Sequence, residues 1–146
     1  MKIINSILVG IACCACTPSD FYTLRGTLPE NSNATEVYLL SKEGKGADTL
    51  ARGMVQSDRT FVLKGKAENR LLYLNVGKYG GRIYFYSEPG KYWLEKVGNS
   101  YLVETEQEGM QSRLNVHLKK IEENLQAKFD LQKQMSETSS EGCLLY

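Results

Sequence analysis

The chain has 146 residues, of which 42% are hydrophobic and 24% are charged, and its formal net charge is +1. This length and composition are typical of a single globular domain with a hydrophobic core. The balanced charge provides no basic excess of the kind that binds a phosphate backbone, so we expect no nucleic-acid partner.

The first fifteen residues have the features of an export signal. Lys2 supplies a positive start, and residues 3–15 are apolar apart from Asn5 and Ser6. A positive end, a short apolar run and small residues before a cut are typical of a secretory signal peptide. The run is shorter than the roughly 20 residues that a membrane-spanning helix needs. We therefore predict a signal peptide over 1–15.

Cys16 follows Ala15 directly, and polar residues come after it. This placement resembles the lipobox of bacterial lipoproteins, in which a small residue precedes a cysteine that is lipidated and becomes the mature N-terminus. The leucine usual three positions before that cysteine is replaced by Cys13, which leaves Cys13 and Cys14 as alternative sites. The resemblance implies lipidation at Cys16, a tether over 16–20, and a membrane anchor in the bacterial cell envelope, at the outer membrane facing the periplasm.

The cysteines permit three other interpretations, and the surrounding residues argue against each. The run from Cys13 to Cys16 formally spells C-x-x-C, but it lies in an apolar leader with no strand before it. A zinc site would need a second ligand pair, and Cys143 with His117 would be an irregular one. Cys143 is fourth from the end, as in a prenylation box, but Tyr146 is not a usual final residue there. We predict no metal, no cofactor and an incidental thiol at Cys143.

From Phe21 to Val97, short β-rich runs alternate with turn residues such as glycine, proline and asparagine. Seven strands at this spacing, with no helix between them, predict a mainly β domain over 21–97, built as an antiparallel sandwich or barrel. Parallel pairing needs long crossovers, and the short connections leave no room for them. The predicted strands cover residues 21–28, 36–41, 49–56, 59–67, 70–76, 82–87 and 91–97.

After Gly98 the periodicity changes to that of a helix, because apolar residues recur at steps of three and four. We predict one long C-terminal α-helix of about 25 residues within a helical connector over 98–137, followed by a flexible tail over 138–146. The apolar stripe must be covered by the sheet, by a second copy of the chain or by another protein. The helix is longer than the sandwich can cover, so it is our candidate contact for a protein partner. The stripe consists of Met110, Leu114, Leu118, Ile121, Leu125 and Phe129.

The aromatic residues near the end of the β-region form the main candidate binding site. Alternation along the sixth strand directs Ile83 and Phe85 to one face and Tyr84 and Tyr86 to the other. With the first pair inward, Tyr84 and Tyr86 form an outer stripe that Tyr92 or Trp93 on the next strand can extend, as in sites that stack on sugar rings. The alternative is cross-strand packing, or cover by the C-terminal helix.

No catalytic motif accompanies these aromatic residues. His117 is the only histidine in the sequence, and we expect it to pack beside the apolar stripe. Glu122 and Glu123 are expected to form a solvated helix face, and the glycines of "KYGGR" lack the spacing of a phosphate-binding loop. The sequence therefore predicts no catalytic residues.

Five short stretches of the β-region follow one another in a recognisable order. They are "FYTLRGTL" (21–28), "VYLL" (37–40), "DRTFVLKGK" (58–66), "LNV" (74–76) and "EPGKY" (88–92). This series resembles the DUF4369 domain over about residues 20–97. That domain is found in lipoproteins of Bacteroidetes, commonly before a thioredoxin-like thiol–disulfide oxidoreductase domain.

The resemblance implies the non-catalytic half of such proteins, because no C-x-x-C occurs after Cys16. We expect a non-catalytic cell-envelope lipoprotein domain that acts as a binding or accessory module. The alternatives are a truncated N-terminal part of a thioredoxin-like oxidoreductase, and a glycan-binding β-domain that uses Tyr84, Tyr86 and Trp93.

Overall fold

The computed structural model describes residues 20–78 and 82–142, except for the side chains of 140–142. The predicted signal peptide and most of the predicted tether lie outside the described residues. Within them, the predicted mainly β domain and long C-terminal helix are confirmed, and an eighth strand is added to the seven expected. The elements are β1 (Phe21–Thr27), β2 (Glu36–Leu40), β3 (Thr49–Met54), β4 (Thr60–Lys66), β5 (Leu71–Asn75), β6 (Ile83–Tyr86), β7 (Gly90–Val97), β8 (Ser100–Glu104) and α1 (Met110–Gly142).

The strands form two four-stranded sheets that pack as a sandwich. The first sheet has the order β4-β1-β7-β8, and the second has the order β3-β2-β5-β6. Neighbouring strands are antiparallel except β1 and β7, which run parallel with Leu24 opposite Tyr92. This parallel pair is possible because the connection from β1 to β7 is long: it contains β4 and the whole second sheet.

Alternating residues of the two sheets fill the space between them, as period-two burial along strands requires. Phe85 of the second sheet is fully buried. Its ring centroid lies 5.1 Å from that of Tyr22 and 4.9 Å from that of Tyr92, in both cases with an interplanar angle of 73°. Edge-to-face contacts of this kind are a preferred arrangement of aromatic rings. The three rings join β6 to β1 and β7 across the core.

The strand β8 forms where we expected the helical connector to begin. Gly98 and Asn99 make a two-residue turn that places Val97 opposite Ser100. Gly98 has a φ of 59°, the positive value that the first central position of a type II′ hairpin turn requires. A Gly-Asn pair is a recognised hairpin signal, so the sequence did contain a cue for this strand.

The helix α1 has 33 residues, about 50 Å at 1.5 Å per residue, and so exceeds the predicted length. It continues through the serine-rich segment that we expected in the tail. Ser136 Oγ donates to the carbonyl oxygen of Lys133 at 2.7 Å, and Thr138 Oγ1 donates to that of Gln134 at 2.8 Å. These hydroxyls bond back to the preceding turn, which lets Ser and Thr remain in a helix.

Replacing Gly26 with alanine is expected to lower the free energy of unfolding by about 2 kcal/mol, because the core has no room for a methyl group there. A Cβ at this position would lie 2.6 Å from Phe61 Cε1 and 2.8 Å from Leu94 Cβ. Urea unfolding measures the change. Thr27→Ala, at the exposed next position, is the control and should stay within about 0.5 kcal/mol. Equal effects of the two substitutions would contradict the packing described.

Candidate functional site

Tyr84 and Tyr86 lie on the outer face of the second sheet, because the alternate residues of β6 point into the core. Both are half-buried. Tyr73 of β5 stands opposite Tyr84, with ring centroids 5.5 Å apart and ring planes tilted by 60°. The hydroxyl of Tyr86 donates to the carbonyl oxygen of Asn69 at 2.7 Å. The structure therefore brings Tyr84 together with Tyr73, and cross-strand packing uses part of both rings.

Trp93 lies apart from these tyrosines. Its strand, β7, belongs to the first sheet, so the indole is on the opposite outer face of the sandwich, where it is 37% exposed. Arg25 is its neighbour across the parallel pair, and its Nε1–H donates to the carboxylate of Glu95 at 3.1 Å. The expectation that Trp93 extends the stripe is therefore wrong. It required β6 and β7 to be neighbours in one sheet, whereas the chain crosses from one sheet to the other at residues 87–89.

The start of α1 is fixed by a carboxylate from the connection between β6 and β7. Glu88 accepts hydrogen bonds from the backbone N–H groups of Met110 at 2.9 Å and Gln111 at 3.3 Å. A negative charge at these first amides satisfies orphan donors and complements the positive end of the helix dipole. The helix therefore begins close to Gly90, where β7 also begins.

Two buried amide side chains attach α1 to both sheets. Gln111 and Asn115 are 0% and 3% exposed. Gln111 Oε1 accepts from the backbone N–H of Tyr86 at 2.6 Å, and its Nε2 donates to the carbonyl oxygen of Val103 at 2.9 Å and to Asn115 Oδ1 at 2.9 Å. Asn115 Nδ2 donates to the same Val103 oxygen at 2.8 Å. The helix thus satisfies backbone groups of the edge strands β6 and β8.

This attachment is not predicted from the sequence, because the apolar stripe alone indicates the docking face there. In the structure Leu114 and Leu118 are half-buried beside the two amides. The available signal was the spacing of Gln111 and Asn115, since residues four apart lie on one face of a helix. Two amides on one face are suited to cap unpaired strand edges.

Glu122 attaches the middle of α1 to the turn between β7 and β8. Its carboxylate accepts from the backbone N–H of Asn99 at 3.0 Å and from the hydroxyl of Ser100 at 2.6 Å. The hydrogen bond from Ser100, followed by that from Asn99, lowers the pKa of Glu122 below its ordinary value. The expected solvated face therefore holds for Glu123, which is exposed, but not for Glu122.

Acidification is expected to loosen this contact between α1 and the turn. The pKa of Glu122 is lower in the folded chain than in the unfolded chain. The ionised carboxylate therefore stabilises the folded state above the ordinary pKa of 4.5, and this stabilisation is lost as the pH falls through the lower pKa of the folded chain. Hydrogen-exchange protection of the Asn99 amide should decline from about pH 6 to about pH 3. Glu122→Gln is the control, because its side chain does not titrate; an identical decline in both proteins would contradict the assignment.

Beyond Glu122 the helix leaves the sandwich, and residues 123–139 are all exposed. Ile121, Leu125 and Phe129, at steps of four, are 54%, 57% and 64% exposed; we call them the distal stripe. The stripe starts in a groove of about 420 Å³ between α1 and the strands β6 and β8, which Tyr84 also lines. Two further exposed apolar side chains follow on its flank, Leu131 and Met135.

The remaining sequence candidates add no chemistry to these surfaces. His117 is exposed, so the expected packing beside the stripe is not formed. Cys16, its alternatives Cys13 and Cys14, and Cys143 lie outside the described residues. Among the residues that are described, no three His, Cys, Asp or Glu side chains are grouped so as to hold a metal ion. Within the same described residues, no helix is long and apolar enough to cross a membrane.

Comparison with known proteins identifies one family. Residues 22–95, half of the 146-residue chain, match the model of DUF4369, which is described as a domain of unknown function. The matched range contains β2 to β6 and most of β1 and β7, and it excludes α1. No curated protein matches the chain, and no solved structure matches it.

Proposed function

The chain belongs to the DUF4369 family, and from this premise we propose that it is a non-catalytic cell-envelope lipoprotein domain that binds a protein partner through α1. A lipid on Cys16 anchors it at the outer membrane, facing the periplasm. The observation that carries the proposal is the exposure of the apolar distal stripe on a helix that extends past the sandwich.

A single exposed apolar side chain would need no explanation. The distal stripe differs, because side chains at i, i+4 and i+8 form one continuous strip along a helix. Charged residues such as Glu123 and Asp130 lie on the opposite side and keep that side solvated. An amphipathic helix of this kind is a common recognition element, which lays its apolar face into a groove or against another helix.

The fold directs the distal stripe away from the point where the chain enters the sandwich. β1 begins at Phe21, and β7 runs parallel to it from Gly90. The helix α1 starts beside Gly90 and reaches the far turn, where Glu122 bonds Asn99. The following 20 or so residues extend past the sandwich by about 30 Å. A partner can therefore reach the stripe without contacting the end of the domain that follows the anchor.

Labelling of cells with an alkyne fatty acid tests the anchor. We expect label on the wild-type protein and on Cys143→Ala, and none on Cys16→Ala. Two or more acyl chains hold a protein stably at a membrane, since each buried methylene contributes about 0.8 kcal/mol. A wild-type protein without label would contradict the lipoprotein assignment, whereas label lost only in Cys13→Ala or Cys14→Ala would move the anchor to that residue.

An insulin-reduction assay tests the absence of catalysis. The purified chain is expected to give no turnover above that of buffer with reductant. Disulfide reduction by the chain alone would contradict the proposal and favour the oxidoreductase alternative.

The paired rings of Tyr73 and Tyr84 favour glycan binding as a second candidate function. Aromatic side chains on an outer sheet face can stack on sugars. A glycan array probed with the wild-type protein and with Tyr84→Ala tests it. Binding lost in the variant would support this function, and an array without binding would remove it.

A further inference from the structure

The outer face of the first sheet carries four cationic side chains close together. Arg25, Lys64, Lys66 and Lys91 are all exposed and point outward from the three adjacent strands β4, β1 and β7. None of the four forms an ion pair with a described residue. We call this surface the basic face. Residues that stand opposite one another on neighbouring strands form rows across this face. Read from β4 to β7, the rows are Lys66–Phe21, Lys64–Thr23–Lys91 and Val62–Arg25–Trp93.

Most of the acidic groups near this charge are bonded to other residues or stand on a different row. Glu104 on β8 faces the same side, but Lys119 of α1 pairs with it at 2.5 Å. Glu95 lies on the row beyond Trp93, away from the three lysines, and accepts the indole N–H. At the end of the sheet where β1 begins, Glu68 pairs with Arg70, whereas Asp20 and Glu106 are exposed. The basic face keeps a net positive charge, because its four cations outnumber the exposed carboxylates of Asp20, Glu95 and Glu106.

The same face exposes apolar groups between its cations. Phe21 is 58% exposed, Val62 45% and Trp93 37%. A depression of about 410 Å³ lies beside Arg25, Val62 and Trp93. Of these, Trp93 is an amphipathic aromatic residue, and Trp or Phe next to Lys and Arg is a combination that proteins place at the surface of a bilayer.

We propose that the basic face docks on an anionic phospholipid surface. The inference rests on the proposed anchor in one respect: Phe21 is five residues after Cys16, and five residue-to-residue steps can span at most about 18 Å. A lipid on Cys16 would therefore hold Phe21 and the lysines beside it near the headgroups. Attraction between these charges extends over a screening length of about 8 Å at physiological ionic strength.

Docking of this face would set the orientation of the partner-binding helix. The helix α1 follows the edge strand β8 of the same sheet, from Val103 to the turn at Asn99. With the sheet on the bilayer, α1 lies alongside the membrane surface and not upright on it. The distal stripe is then available to partners held at the same membrane.

Trp93 is the only tryptophan of the chain, so its fluorescence reports on this face directly. The full-length protein, purified with its lipid, is reconstituted into vesicles of brominated phosphatidylcholine with or without phosphatidylglycerol. We expect quenching and a blue shift only in the vesicles that contain phosphatidylglycerol. Raising the salt to about 1 M, where the screening length is about 3 Å, should reverse both. Fluorescence that is insensitive to the anionic lipid would overturn the proposal.

Neutralising the lysines should abolish the response. In the triple variant Lys64→Gln, Lys66→Gln, Lys91→Gln, the ratio of docked to undocked protein should fall about 100-fold, at roughly fivefold per charge. The matched control Lys42→Gln, Lys45→Gln, Lys120→Gln removes three exposed lysines from other surfaces and should respond as the wild type does. Equal responses of the two triple variants would overturn the proposal.

Mass spectrometry of the purified protein shows whether it carries acyl groups, so a failure of the proposed anchor can be distinguished from a failure of the proposed docking. A chain without acyl groups is added to preformed vesicles; if Trp93 still responds to phosphatidylglycerol, docking stands and the anchor fails. An acylated chain whose Trp93 does not respond overturns docking alone. Binding of heparin that depends on the three lysines, without a vesicle response, would assign the face to a soluble polyanion and also overturn the proposal.

Discussion

Gln111→Leu is expected to lower the free energy of unfolding by about 3 kcal/mol. Leucine fills much of the same space but cannot accept from the backbone N–H of Tyr86 or donate to the carbonyl oxygen of Val103. Each buried polar group left unpaired costs about 1–3 kcal/mol. Asn115 also loses its bond with Gln111, although it keeps its own bond to Val103. Urea unfolding measures the loss.

The matched control is Gln126→Leu, on the exposed part of the same helix. Within the described part of the chain, the Gln126 side chain bonds only to Asp130, at 3.0 Å, so its replacement should change stability by no more than about 0.5 kcal/mol. Hydrogen exchange should show faster opening of α1 relative to the strands in Gln111→Leu. A variant as stable as the control would mean that the amide pair does not hold the helix on the sandwich.

Leu125→Ser with Phe129→Ser is expected to weaken partner binding at least 100-fold. Apolar side chains at the centre of a helical interface contribute about 2 kcal/mol or more each when they are removed. Both side chains are more than half exposed, so the substitutions should leave the unfolding midpoint of the sandwich unchanged. Recovery of the partner with tagged full-length protein from native membranes, quantified over a range of protein concentrations, measures the loss.

The matched control for this pair is Ala127→Ser with Gln134→Ser. These residues are exposed on another side of the same helix. They should leave recovery within about twofold of the wild type, in line with near-neutral positions outside a contact centre. Equal losses in both double variants would show that the distal stripe does not define the contact.

The strands could be predicted because local signals coincide. Alternation places Ile83 and Phe85 inward, and turn residues separate the runs, so the chain specifies each strand within a short window. β8 was missed because its five residues follow a turn of only two and lie close before α1, whose periodicity dominates this part of the sequence. A strand that short is distinguished from a helix start mainly by its partner, β7.

The arrangement of the strands could not be predicted from local pattern. Trp93 and Tyr84 occupy outward positions on consecutive strands, yet they face opposite sides, because the chain changes sheet between β6 and β7. The attachment of α1 to the sandwich could not be predicted from local pattern either. Gln111 and Asn115 are polar residues in a helix, and only the edges of two distant strands give them buried partners. Such contacts depend on tertiary proximity, which periodicity does not encode.

Site-specific photo-cross-linking in living cells tests the proposed partner contact most directly. A photoreactive amino acid is placed at Leu125 or Phe129 of the full-length chain and, as the control, at Ala127 or Asp130. We predict one discrete protein adduct in the membrane fraction from the first two positions and none from the others. No adduct from Leu125 and Phe129, or the same adduct from all four positions, would contradict the proposed role of α1.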